Sequence, residues 1–202
     1  MKRRTFLKTS FAGIAVPALC GTSGLSLAQS LSEWVGERPT AVISDARFPY
    51  CQRFGTAASE AGIRHFSVDG DITGIWFKHL DPMWRKSQPV IIGMTAHQPL
   101  FVLERLGWDR GMRVVLRVEH EWLPDGTVHH RLEAPTHQLP QVEALLTDAS
   151  DWSERLARLG ANCNWSHQGM CTTSQARAPT PNLLENASAP LVTWIMAPAR
   201  AV

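Results

Sequence analysis

Strand and helix patterns take turns along this chain from Thr40 onward, which leaves few architectures open to it. Thr40 to Ser44 is a short β-branched run, Pro49 to Ala61 carries a helical period ended by Gly62, and His65 to Val68 is a second strand. Asp71 caps a helix whose Ile72, Ile75, Trp76 and Leu80 share one face, with a stop and restart expected at Asp81-Pro82. Pro89 to Met94 is a third strand. Gln98 to Leu106 is a helix with Leu100, Phe101, Leu103 and Leu106 as its apolar set, and Met112 to Glu121 is a fourth strand.

A parallel strand pair needs a crossover, and a helix supplies one naturally. The alternation therefore predicts an α/β three-layer sandwich with a largely parallel sheet. Pro124-Asp125-Gly126 then separates the fourth strand from Val128 to Leu132, a hairpin signal that places an antiparallel hairpin at one edge. Gln141 to Leu159 reads as one amphipathic helix, residues 160–189 as an irregular Gly, Asn, Ser and Pro-rich connection, and Leu191 to Met196 as a last strand. Residues 29–202 are expected to form a single domain.

The first residues have a different character. Lys2, Arg3, Arg4 and Lys8 precede an uncharged, mostly apolar stretch from Phe11 to Ala28. The order resembles a twin-arginine export signal, with Arg3 and Arg4 as the pair and Phe6 and Leu7 following. That resemblance implies export by the twin-arginine translocase to the periplasm, often as folded cargo. Ser26 and Ala28 place signal-peptide cleavage after Ala28. Gly13, Pro17, Gly21 and Gly24 interrupt the stretch, so no permanent membrane span is expected, and Leu19 is too bulky for a lipid-attachment signal at Cys20.

Removing the leader changes the charge. Four of the 20 basic residues lie in it and none of the 18 acidic ones, so a net charge of +2 becomes −2. With no basic run after Lys8, nucleic acid is excluded as the expected partner.

In parallel sheets ligands collect at the carboxyl ends of the strands. That rule selects Asp45 and Arg47 after the first strand, Asp69 and Asp71 after the second, Thr95 and His97 after the third, and Glu119 and His120 near the end of the fourth. Asp45, Arg47, Asp69, Asp71, Thr95 and His97 are the expected ligand-binding set, gathered in one pocket. Asp45, Asp69 and His97 are the candidates for acid/base catalysis, and the three aspartates for a divalent cation. Asp and Thr after strands are also ordinary helix caps and turn formers. No phosphate loop, dinucleotide fingerprint, nucleophile elbow or HExxH motif occurs.

Three cysteines follow the leader: Cys51, Cys163 and Cys171. In an oxidising compartment Cys163 and Cys171 are the expected disulfide, with Cys51 buried behind Tyr50 and Phe54. Cys163, His167 and Met170 also loosely resemble the ligand loop of small blue-copper proteins, which implies a copper or redox role as an alternative. His129 and His130 point to opposite faces of a strand by alternation, and with His137 are expected as exposed edge residues.

Three functions remain in play. The first is an exported periplasmic accessory subunit or small-solute binder without catalysis. The second is a hydrolase-like enzyme using the carboxylate and His cleft, with or without a divalent metal, and the third is a copper or redox protein using the Cys163 loop. The cofactor is not identified by any motif.

Overall fold

The computed structural model describes residues 37–167, 169–179 and 189–199. The leader, including Arg3 and Arg4, lies outside the described residues. Seven strands form one sheet, and helices pack on both of its faces: β1 (Ala41–Asp45), α1 (Pro49–Glu60), β2 (Arg64–Val68), α2 (Thr73–Ile75), a π-helical turn (Trp76–Leu80), α3 (Asp81–Lys86), β3 (Ile91–Ala96), α4 (His97–Trp108), β4 (Met112–Trp122), β5 (Thr127–Pro135), α5 (Leu139–Leu146), α6 (Trp152–Asn162), β6 (Cys171–Pro179) and β7 (Leu191–Pro198). The α/β sandwich expected from the alternation is therefore present.

The sheet is mixed rather than largely parallel. Its order is β2-β1-β3-β7-β4-β5-β6, and only β1 with β2 and β1 with β3 run parallel. The other four pairings are antiparallel. Two features cause the difference. β7 returns from the end of the chain and enters the middle of the sheet between β3 and β4. Residues 160–189, read as irregular, also supply β6, which pairs with β5 from Pro135↔Cys171 to Thr127↔Pro179. β6 escapes a search for apolar periodicity because only Ala176 and Ala178 are buried along it.

Smaller expectations meet the structure in specific ways. The Pro124-Asp125-Gly126 turn closes the β4–β5 hairpin, with Gly126 at φ 80 and Asp125 accepting the Thr127 backbone N–H at 3.0 Å. The long late helix is two helices, broken where Asp148 adopts φ 54 and donates its N–H to the Arg177 carbonyl at 3.0 Å. The stop at Asp81-Pro82 is a widening instead: the π-helical turn ends at Leu80, and Pro82 falls in the first turn of α3, where its missing N–H is tolerated.

The core lies in two layers. On one face α1, α5 and α6 cover Val42, Ile92, Val118 and Leu132 with Tyr50, Phe54, Val142 and Trp152. On the other, the segment from α2 to α4 covers Ile43, Ile91 and Trp194 with Trp76, Leu80, Trp84 and Leu103. That second cover stops near β4. Beyond it the outward positions of β4, β5 and β6 are polar: Arg117, Glu119 and Glu121 stand across from Glu133, Arg131 and His129, and the last three across from Thr173, Gln175 and Arg177. None of these side chains is buried, so among the described residues this face of β4, β5 and β6 carries no helical cover and is a bare face.

Candidate functional site

The bare face and the end of β3 enclose a cleft of about 730 Å³, lined by His97, Glu119, His120, Glu121, Trp122, His129, Arg131 and Gln175, with Ala189 and Pro190 at its margin. β4 and β5 supply its charged wall because strand alternation sends Glu119, Glu121, His129 and Arg131 to the same side. Arg131 pairs with Glu119 directly across the ladder. His129 Nε2 lies 3.3 Å from Gln175 Oε1, and since a carbonyl oxygen only accepts, the imidazole donates from Nε2. His97, the first residue of α4, closes the end of the cleft nearest β3.

Under this wall lies a pair of imidazoles that no sequence motif announces. His120 and His130 are both fully buried, stand opposite each other across the β4–β5 ladder, and approach Nδ1 to Nδ1 at 2.7 Å. At that distance one ring is the donor and the other the acceptor, so the pair is held with at most one proton between the two Nδ1 atoms. His120 Nε2 meets Thr193 Oγ1 of β7 at 2.8 Å, which ties the tautomers together into a chain from Thr193 to His130. Trp152 of α6 packs on both rings, with centroids 4.4 Å from His120 and 4.8 Å from His130. His130 Nε2 and Trp152 Nε1 have no hydrogen-bond partner among the described residues.

Burial dominates the titration of these groups. It pushes His120 well below the ordinary imidazole range, with the charge of His130 adding to the effect. It pushes His130 down to about 3, with His129 as the lesser cause. Both imidazoles are neutral near pH 7 and belong to the core. His130 is thus not an exposed edge residue, because β6 pairs along the far side of β5 and α6 covers the face that His130 enters. His129 does face the other way, as the alternation requires.

The residues expected to share one pocket occupy four environments. Asp45 is fully buried, and Arg47 holds it with two side-chain bonds, Nε to Oδ1 at 2.9 Å and Nη2 to Oδ2 at 2.7 Å. Its oxygens are thereby taken up by a guanidinium, and a Cβ at Gly70, which has φ 98, would collide with that same group. Asp69 and Asp71 line a separate cleft of about 530 Å³ with Ser67, Lys78 and His79, the last two presented by the π-helical turn. The Thr73 side chain, and then its backbone N–H at 2.8 Å, donate to Asp71, which lowers the carboxyl pKa and makes Asp71 a turn former at the start of α2. Thr95 is buried, donating to the Ala96 carbonyl at 2.8 Å and receiving the Trp194 indole N–H at 3.2 Å. Only His97 reaches the large cleft.

The triad of Asp45, Asp69 and His97 is therefore not gathered in one pocket: Asp45 is buried under Arg47, Asp69 lines the smaller cleft and His97 the larger. Among the described residues no three His, Cys, Asp or Glu side chains form a metal-holding group. Cys163 at the end of α6 and Cys171 at the start of β6 are free thiols, as is the buried Cys51. The expected Cys163–Cys171 bond is not formed. Trp165 anchors the chain between them, being buried, bonded to the Gly160 carbonyl through its indole N–H at 2.9 Å, and bridged to Glu37. Burial raises the pKa of both thiols. His167 lines a small pocket beside Cys171, while Met170 is 78% exposed, so the three residues of the copper expectation do not enclose a common site.

Glu121, Trp122, His129, Arg131 and Gln175 were absent from the expected binding set. One signal could have found the wall: in 117–122 and 128–133 the polar residues keep strand period, which puts Glu119, Glu121, His129 and Arg131 in one phase and the two buried histidines in the other. Against known proteins, no family model, no curated protein and no solved structure matches this chain.

Proposed function

We propose that this protein is exported by the twin-arginine route and binds a small polar solute in the periplasm, in the cleft of β4, β5 and the start of α4. The supporting observation is the cleft itself, about 730 Å³ with charged side chains on one wall. That volume suits a small ligand, and a few placed polar groups are what such sites use to orient it. The leader with Arg3 and Arg4 supports the compartment, and no helix of the described residues is long and apolar enough to cross a membrane.

The test is occupancy of the cleft. Small polar solutes, charged and neutral, are screened by the rise in melting temperature they produce, and the responders are repeated on Gln175→Trp, which fills the cleft from exposed β6. Loss of the response in that variant, with its ligand-free melting temperature retained, is the expected result. An equal response would move binding elsewhere on the protein. For the compartment, Arg3→Lys with Arg4→Lys is expected to leave precursor in the cytoplasm, and normal export of that variant would refute the route.

A further inference from the structure

We infer that the cleft selects a cationic ligand, a small ammonium or guanidinium compound, with Glu121 as its charge partner; this rests on the solute-binding reading above. Charge on the wall is not balanced. Arg131 is spent on Glu119, its cross-strand neighbour. Glu121, exposed and lining the same cleft, has no hydrogen-bond or ion-pair partner among the described residues. Arg177, the β6 neighbour of His129, sits 3.9 Å from Asp125 at the hairpin turn and does not line the cleft.

Hydrogen-bonding groups point the same way. His129 stands directly across the ladder from Glu121 and donates through Nε2 to Gln175, which in the neutral ring leaves Nδ1 as the acceptor. Glu121 and His129 together offer acceptors on neighbouring positions, while the strongest donor of the wall is already engaged. A ligand that donates several N–H bonds and carries positive charge satisfies both, whereas an anion meets an unpaired carboxylate.

Isothermal titration of the purified protein at pH 7.5 and low salt decides the matter, with agmatine and n-butylammonium as cationic probes, butanoate as the anion and butanamide as the neutral control. The cations are expected to bind and butanoate not. Glu121→Gln should weaken cation binding by roughly tenfold or more, as loss of a charged hydrogen-bonding partner does, and Glu60→Gln at the end of α1 should leave it unchanged. Binding of butanoate in preference to the cations, or cation binding by Glu121→Gln equal to the parent, overturns this inference and leaves solute binding standing. No heat from any of the four probes, together with no response in the wider solute screen, overturns both.

Discussion

Strands β1 and β3 are buried along their whole length, whereas β4 and β5, in the same sheet, bury one face and offer the other to solvent. The sequences differ accordingly. Ala41–Asp45 and Ile91–Ala96 are continuous apolar or small runs, and in both the few polar side chains are consumed internally: Asp45 by Arg47, Thr95 by Trp194 and the Ala96 carbonyl. Along β5 burial alternates, with Val128, His130 and Leu132 inward and His129, Arg131 and Glu133 outward. A strand covered on both faces has no surface left with which to bind anything. The large cleft therefore lies where the second helix layer ends, although the parallel strands are the part of the sheet to which the carboxyl-end rule applies.

The sharpest way to break this contrast is in the doubly covered half. Trp194 is fully buried against Gly93, where even a Cβ would strike the indole, so Trp194→Ala should cost about 3–5 kcal/mol in denaturant unfolding. A loss below about 1 kcal/mol would mean that the covered face is not what holds this half together.

An intermediate effect is expected from the histidine pair. Both imidazoles have folded pKa values below the ordinary value of 6.5. Unfolding then takes up protons whenever the pH is under about 6.5, so stability is complete above that value and falls as pH drops toward the folded values. Each imidazole contributes a slope of up to about 1.4 kcal/mol per pH unit. The double variant His120→Phe, His130→Leu should show a shallower loss between pH 6.5 and 5 than the parent in urea unfolding. Equal slopes would show that the pair is not neutral in the core. His65 and His137 also titrate low through burial, and they contribute equally to both proteins.

The smallest effect belongs to the bare face. Glu119→Gln removes an exposed cross-strand ion pair whose arginine is 65% exposed, and should change stability by no more than about 1 kcal/mol. A loss above about 2 kcal/mol would make the open face part of what stabilises the sheet, and the distinction between the two halves would fail.

How much of this was legible depended on range. The strand, turn and helix patterns of residues 40–135 fell close to their observed places, because hydrophobic period and turn residues act over a few positions. β6 did not show, since its pairing with β5 needs only backbone groups and two inward alanines. The break at Asp148 was likewise hidden, as a left-handed aspartate leaves the apolar pattern on either side nearly in phase. Of the expected binding residues only His97 reached the large cleft.

What the sequence determined by itself was local: which segments of residues 40–135 are strands or helices, that they make an α/β sandwich, and that the β4–β5 hairpin turns at Pro124-Asp125-Gly126. The placement of β7 between β3 and β4, the parallel-to-antiparallel switch and the cleft were decided only in the tertiary structure. Thr193 meets His120 across 73 residues of chain, and Gln175 meets His129 across 46. Such contacts arise from strand pairings chosen for total burial and ladder hydrogen bonds, and many orders of the same strands satisfy the same local pattern.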